Sequence, residues 1–195
     1  MKKNRVEAFS DGVLAIIVTI MVLELKAPES SDWKELWHLY PKFISYVLSF
    51  MMVWIYWNNH HHLFQMVQTI NGRVLLANGF LLFVLSLQPF TTAWMGETHF
   101  STNAVILMGS VLLMSGVAYS ILTGTLIMAN GGKNSKLYKS LGRGTKDIAS
   151  LVGYSAAILI ACWWPEISVG IFILFALMWL VPDKRIERNL REGVE

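Results

Sequence analysis

Long apolar stretches alternate with short polar segments along the whole chain. Each stretch approaches the roughly 20 residues that an α-helix needs to cross the hydrocarbon core of a bilayer. The pattern predicts six membrane-spanning helices, at residues 8–25, 43–58, 74–94, 103–129, 148–164 and 167–181. We therefore expect an all-α integral membrane protein with one domain over residues 1–195, a basic loop at 130–147 and a charged tail at 183–195.

A short amphipathic segment lies between the first two predicted spans. Its aromatic and apolar residues recur at helical spacing, and Asp32 precedes Glu35 by three residues, which is typical of a helix N-terminus. We expect this helix to lie on the membrane surface, with its aromatic rings at the depth of the headgroups.

The composition supports a membrane protein and gives its orientation. The 195 residues are 54% hydrophobic and 15% charged, whereas soluble domains carry about 25% charged residues. The net charge of +3 does not indicate a nucleic-acid partner, because the basic residues concentrate at one side of the predicted spans. These are Lys2, Lys3, Arg5, Arg73, Lys133, Lys136, Lys139, Arg143, Lys146, Lys184, Arg185, Arg188 and Arg191. The positive-inside rule then predicts a multi-pass protein of the cell membrane with both termini in the cytoplasm.

The first predicted span has two different faces. At 100° per residue, Phe9, Gly12, Thr19, Ile20 and Leu23 all fall within about 60° of Ile16. This apolar stripe is interrupted only by the Thr19 hydroxyl.

The opposite face of that span carries Ser10 and Asp11 near the predicted cytoplasmic end. We expect both side chains to be buried, because a carboxylate inside a span is costly unless it has a partner. Arg5, Arg73 and the cluster His60-His61-His62 are the candidate partners. A structural network and a proton or ion relay both fit these residues.

The start of the first span resembles a known family. Arg5-x-x-x-Phe9-Ser10-Asp11 is similar to the Arg-x-x-x-Phe-Ser-Asp signature of the transmembrane protein 175 family, which comprises lysosomal potassium channels of animals and shorter prokaryotic homologues. Tyr56-Trp57 followed by His60-His61, and Pro89-Phe90 at the end of the third span, extend the similarity.

The resemblance implies a potassium-permeable cation channel, not an enzyme, with no cofactor and K⁺ as the permeant ion. It implies a homotetramer in the lipid bilayer, with the first helix of each subunit lining a central pore. Ile16 would form the narrowest constriction, Thr19 would contribute to selectivity, and Ile20 and Leu23 would form further rings. Weak to moderate selectivity for K⁺ over Na⁺ is expected of a prokaryotic member.

Two other interpretations compete with a channel. A proton-coupled cation transporter would need broken helices and paired charges at mid-depth, and the predicted spans carry few charges apart from Asp11. An intramembrane metal-dependent enzyme would need ligands that converge from several spans. A metal site at His60-His61-His62 is disfavoured because adjacent histidines on a helix point in different directions.

One further motif resembles a potassium-channel filter. Leu151-Val152-Gly153-Tyr154-Ser155 is similar to Thr-Val-Gly-Tyr-Gly, but a filter needs backbone carbonyls exposed by a loop. We expect these residues to form part of an ordinary helix.

Overall fold

A computed structural model describes residues 2–28, 30–140 and 145–180. Within these ranges the chain forms helices and no strand. The helices are α1 Lys3–Leu23, α2 Trp33–His38, α3 Tyr40–Gln65, α4 Gly72–Leu85, α5 Gln88–Glu97, α6 Thr102–Ala129, α7 Lys136–Ser140, α8 Thr145–Ala161 and α9 Pro165–Leu180, with a 3₁₀ turn at Gly132–Asn134. Three predicted features lie outside the described residues. They are the tail at 183–195, the last residue of the sixth span and the loop residue Arg143.

The described helices include three that are long and apolar enough to cross a membrane. They are α1, the segment Gly72–Glu97 that comprises α4 and α5, and α6. Helix α9 is apolar but has only 16 residues, which correspond to about 24 Å at a rise of 1.5 Å per residue. Helix α3 is longer, with 26 residues, and its C-terminal end is polar.

The third predicted span is not a single helix. Pro89 has no N–H to donate to the Leu85 carbonyl, and its ring crowds that carbonyl. Helix α4 therefore ends at Leu85, and α5 begins at Gln88 with the proline in its first turn. The third predicted span, residues 74–94, thus corresponds to the apolar segment Gly72–Glu97, which is interrupted at Ser86 and Leu87.

Two other predicted boundaries also move. The second predicted span ends at residue 58, but α3 continues to Gln65, so the three histidines lie in its last turns. Helix α8 begins at Thr145, so the last residues of the predicted loop at 130–147 are helical. The short helix predicted after the first span is confirmed as α2, where the Asp32 carboxylate caps the N-terminus by accepting from the Lys34 backbone N–H at 3.0 Å.

Helix α6 lies at the centre of the described structure. It packs against α4 and α5 on one side and against α8 and α9 on the other. Helix α1 contacts α3, α4 and α5. One buried hydrophobic core connects these helices, from Val6 on α1 to Phe172 on α9. The first helix is thus held by one face only, and this determines which of its side chains remain exposed.

The filter-like motif is helical, as expected. Residues 151–155 all lie inside α8. Gly153 is needed there because a Cβ atom at this position would overlap the ring of Phe175 on α9.

Candidate ion-conducting face of the first helix

One face of α1 packs into the subunit and the other does not. The packed face is almost free of solvent contact and consists of Val6, Ser10, Leu14, Ile17 and Met21. The stripe predicted from helical periodicity is on the other face. Ile16 is 59% exposed, Ile20 is 42% exposed and Leu23 is 75% exposed. The subunit therefore leaves a row of large apolar side chains without a partner of its own.

Thr19 is the one hydroxyl on this row. Its side chain is exposed, and its Oγ1 donates to the Ile16 backbone carbonyl at 2.8 Å. Because the hydroxyl hydrogen points back to the helix, the oxygen lone pairs are directed outward. That orientation suits a cation, which requires an acceptor oxygen.

The exposed surface of α1 is wider than the predicted stripe. Four more side chains of α1 are exposed: Ala8, Asp11, Ala15 and Val22. With a rotation of 100° per residue, they lie about 80–140° around the helix from Ile16. Phe9, which belongs to the stripe, is 65% exposed. The free surface thus covers roughly half of the helix circumference.

A buried polar network connects α1 to α4 and α3. The Asn78 amide on α4 donates to Ser10 Oγ at 3.0 Å. Its Oδ1 lies 2.8 Å from His60 Nε2 on α3. Ser10 Oγ in turn donates to the Val6 carbonyl at 2.8 Å. All three side chains are at most 3% exposed, so the network fixes α1 against two other helices.

Asp11 does not belong to this buried network. It is exposed in the subunit, so the expectation that it is buried there was wrong. Its angle on the helix places it about 60° beyond the edge of the packed face, at 100° per residue. Its Oδ1 accepts from Trp57 Nε1 on α3 at 2.9 Å. The Trp57 ring in turn stacks on His61, with ring centroids 5.9 Å apart.

The basic candidates do not pair with Asp11. Arg5 and Arg73 are both exposed. Within the described ranges, the only side-chain ion pair joins Lys42 and Glu97, at 3.5 Å. The signature residues thus divide between a buried network through Ser10 and an exposed contact through Asp11.

Sequence reasoning missed the central member of the buried network. Asn78 is a single amide inside the apolar run of α4, and a polar residue in such a run is expected to have a partner. Trp57 is part of the Tyr56-Trp57 pair that supports the family resemblance, but its role as a donor depends on the side-chain geometry.

The histidines have separate partners. His60 faces Asn78, while His61 Nε2 lies 2.8 Å from Gln65 Nε2 one helical turn later. The described residues contain no group of three or more His, Cys, Asp or Glu side chains arranged to hold a metal ion.

Comparison with known proteins identifies similar channels. The sequence profile of the family described as "Endosomal/lysosomal potassium channel TMEM175" matches residues 5–89. A protein from Chryseobacterium sp. (strain P1-3) that is named a potassium channel is 51% identical, over 99% of this chain and 100% of its own length. The human "Endosomal/lysosomal proton channel TMEM175" is 27% identical over 91% of this chain, which covers 39% of the human protein.

A solved structure has the same fold. The crystal structure of a lysosomal potassium-selective channel TMEM175 homolog from Chamaesiphon minutus superposes with a TM-score of 0.78. The superposition covers 92% of this chain and 96% of the other, at 24% sequence identity. At this identity the similarity supports the arrangement of the helices.

Proposed function

This chain belongs to the TMEM175 family, and on that premise we propose that it is a potassium-permeable cation channel. One observation carries the proposal: the exposed row Ile16, Ile20 and Leu23 lies on the helix that carries the family signature. The 51% identical relative that is named a potassium channel supports the same activity. Conduction is passive and needs no cofactor.

The pore is formed by several copies of α1, since one helix cannot enclose an aqueous path. We place four subunits around an axis that faces Ile16. The wide exposed surface of α1 supports this arrangement. The stripe near Ile16 faces the axis, and exposed flanking positions such as Ala8 and Ala15 contact neighbouring subunits. Both flanking side chains are small, which lets helices approach closely.

Each subunit has six membrane spans, formed by α1, α3, α4 with α5, α6, α8 and α9. The whole chain, residues 1–195, is then one channel domain, and the even number of spans places both termini on the same side of the membrane, which we assign to the cytoplasm. The concentration of basic residues at this side supports that orientation.

Rings of Ile16, Ile20 and Leu23 form a hydrophobic constriction. A narrow apolar pore loses its water and blocks ions, whereas a slightly wider one conducts. Thr19 places an oxygen beside a partly dehydrated ion. K⁺ gives up its water at lower cost than Na⁺, which yields a weak to moderate preference for K⁺.

The signature residues act as supports in this proposal. The Ser10–Asn78–His60 network sets the rotation of α1, and the Asp11–Trp57 contact holds its cytoplasmic end. Both keep the stripe aimed at the axis. Asp11 itself points away from the ion path.

Proton conduction is a second candidate function. The human relative favours it, since that protein is called a proton channel. A proton-coupled transporter, by contrast, would need paired charges at mid-depth.

Flux through liposomes distinguishes these functions. Purified protein is reconstituted into K⁺-loaded vesicles, and K⁺ efflux is followed with the internal and external pH equal. A channel releases K⁺ down its gradient and slows when an opposing voltage is imposed. Efflux that occurs only with an imposed pH gradient would contradict the channel and support a transporter. Acidification driven by voltage, without K⁺ movement, would show a proton channel.

A further inference from the structure

A second polar cluster lies behind α1, beyond the α4–α5 break from the buried network of Asn78. It consists of Ser49 on α3 and Thr92 on α5, and both side chains are at most 5% exposed. Thr92 also contacts α1, because its Oγ1 lies 3.7 Å from the sulfur of Met21. Met21 belongs to the packed face of α1 and directly follows Ile20 of the exposed row.

The Thr92 hydroxyl joins three helices at one point. Its Oγ1 lies 2.6 Å from the Gln88 backbone carbonyl and 2.6 Å from Ser49 Oγ. A hydroxyl donates one hydrogen and accepts through two lone pairs, so Thr92 can donate to the carbonyl while it accepts from Ser49. The contact with the polarisable Met21 sulfur adds α1 to this connection between α5 and α3.

Helix α1 is therefore held at two levels by two different helices. Ser10 accepts from Asn78 on α4, and Met21 contacts Thr92 on α5. The two levels are about 16 Å apart along α1, at a rise of 1.5 Å per residue. Because the break between α4 and α5 lies between these supports, the C-terminal half of α1 depends on α5 alone for this contact.

The two ends of α5 are held differently. At its C-terminal end a Cβ atom added to Gly96 would lie 2.8 Å from the Lys42 Cα, and Lys42 pairs with Glu97 at 3.5 Å. At its N-terminal end the Gln88 side chain is fully buried, and within the described ranges neither polar atom of its amide has a hydrogen-bond partner. A buried amide without a partner is costly, so the end beside the break is the less firmly held, and Thr92 lies one turn from it.

We propose that Thr92 is a positioning residue for the ion path, and this inference rests on the proposed channel function. Its hydroxyl fixes Met21 on the packed face of α1. Ile20 and Leu23 lie in the same turn but on the exposed side, so their rings keep their place only while Met21 keeps its own. Thr92 acts through α1 and does not touch the ion.

The test compares single-channel currents of the reconstituted full-length protein and its variants. Thr92→Val keeps the shape of the side chain and removes the hydroxyl, whereas Thr92→Ser keeps the hydroxyl. A loosened α1 reaches wider pores more often, and a wider apolar pore holds water and conducts. Thr92→Val should therefore raise the ratio of open to closed time about threefold, the equilibrium factor of one average side-chain hydrogen bond in a membrane protein. Thr92→Ser should restore the wild-type ratio.

Thr91→Val is the matched control. Thr91 is also buried, at 1% exposure, and it donates to the same Gln88 carbonyl at 3.1 Å. Its sulfur contact is with Met108 on α6, at 3.6 Å, so the same chemical change is made on the side of α5 that faces α6. Its ratio of open to closed time should match wild type. An unchanged or lowered ratio in Thr92→Val, or an equal rise in Thr91→Val, would overturn the proposal.

Unfolding by a denaturing detergent separates this outcome from a failure of the channel proposal. Met21→Leu removes the sulfur at similar volume. Its effect on the free energy of unfolding should be non-additive with that of Thr92→Val and additive with that of Thr91→Val. If wild type carries no K⁺ current but this non-additivity is found, the channel function fails and the support of α1 by Thr92 stands. Additive effects in both pairs would overturn the role of Thr92.

Discussion

Replacing Asn78 by leucine removes the centre of the network that holds α1. Asn78 donates to Ser10 at 3.0 Å and lies 2.8 Å from His60 Nε2. Leucine offers neither a donor nor an acceptor. His60 is then left buried at 2% exposure without its amide partner, whereas Ser10 keeps its bond to the Val6 carbonyl. The loss on the His60 side should therefore dominate.

The size of the effect follows from two hydrogen bonds. Side-chain hydrogen bonds in membrane proteins contribute about 0.6 kcal/mol on average and up to about 1.7 kcal/mol. A buried polar group without a partner costs about 1–3 kcal/mol. Together these values predict that Asn78→Leu lowers the free energy of unfolding by about 1–3 kcal/mol. A double-mutant cycle with Ser10→Ala should give a coupling energy of about 0.6 kcal/mol.

The assay is unfolding by a denaturing detergent titrated into mild-detergent micelles, followed by circular dichroism. Asn103→Leu is the matched control: it makes the same chemical change on α6, at an exposed side chain. Its free energy of unfolding should stay within about 0.5 kcal/mol of wild type. If both variants unfold alike, the buried network does not hold α1 and the reasoning is refuted.

Two further predictions concern other contacts of the bundle. Trp57→Phe keeps a ring beside His61 but removes the donor to Asp11. The tetramer fraction in size-exclusion chromatography should therefore fall, while the ion preference in liposomes stays the same. A changed ion preference at full tetramer yield would mean that Asp11 acts on the ion. Gly153→Ala forces a methyl group against Phe175 and should lower the free energy of unfolding by about 1–3 kcal/mol. Gly170→Ala, where an added Cβ meets no atom within 4 Å, is its control, and equal stability of the two variants would contradict the close packing of α8 on α9.

Helical periodicity was sufficient to find the exposed stripe. Ile16, Thr19, Ile20 and Leu23 were grouped by angle, and the structure leaves all four exposed. Periodicity did not give the width of the exposed surface, because that depends on which helices pack beside α1. For the same reason Ser10 and Asp11, adjacent in sequence, could not be separated into a buried and an exposed side chain.

Contacts between helices were harder to predict. Asn78 lies 68 residues from Ser10 and 18 from His60, and periodicity within one helix does not show which helices become neighbours. The break after Leu85 had a local signal in Pro89, since proline disrupts the turn before it. The extension of α3 through the histidines had none, because a polar run looks the same at a helix end and in a loop.

The most direct test of the central claim is the single-channel current of Ile16→Asn in a planar bilayer. In the proposed pore, asparagine in each subunit would hydrate the constriction, and a barrier lowered by only about 1.4 kcal/mol would raise the current tenfold. Val22→Asn is the control: Val22 is also exposed, at 45%, but lies about 120° from Ile16. Leu14 is unsuitable because it is 3% exposed, so its replacement would test folding.

We expect Ile16→Asn to raise the K⁺ conductance about threefold or more, or to reduce the preference for K⁺ over Na⁺, with Val22→Asn close to wild type. Equal currents in wild type and both variants, at equal tetramer yield, would contradict the assignment of α1 as the pore helix.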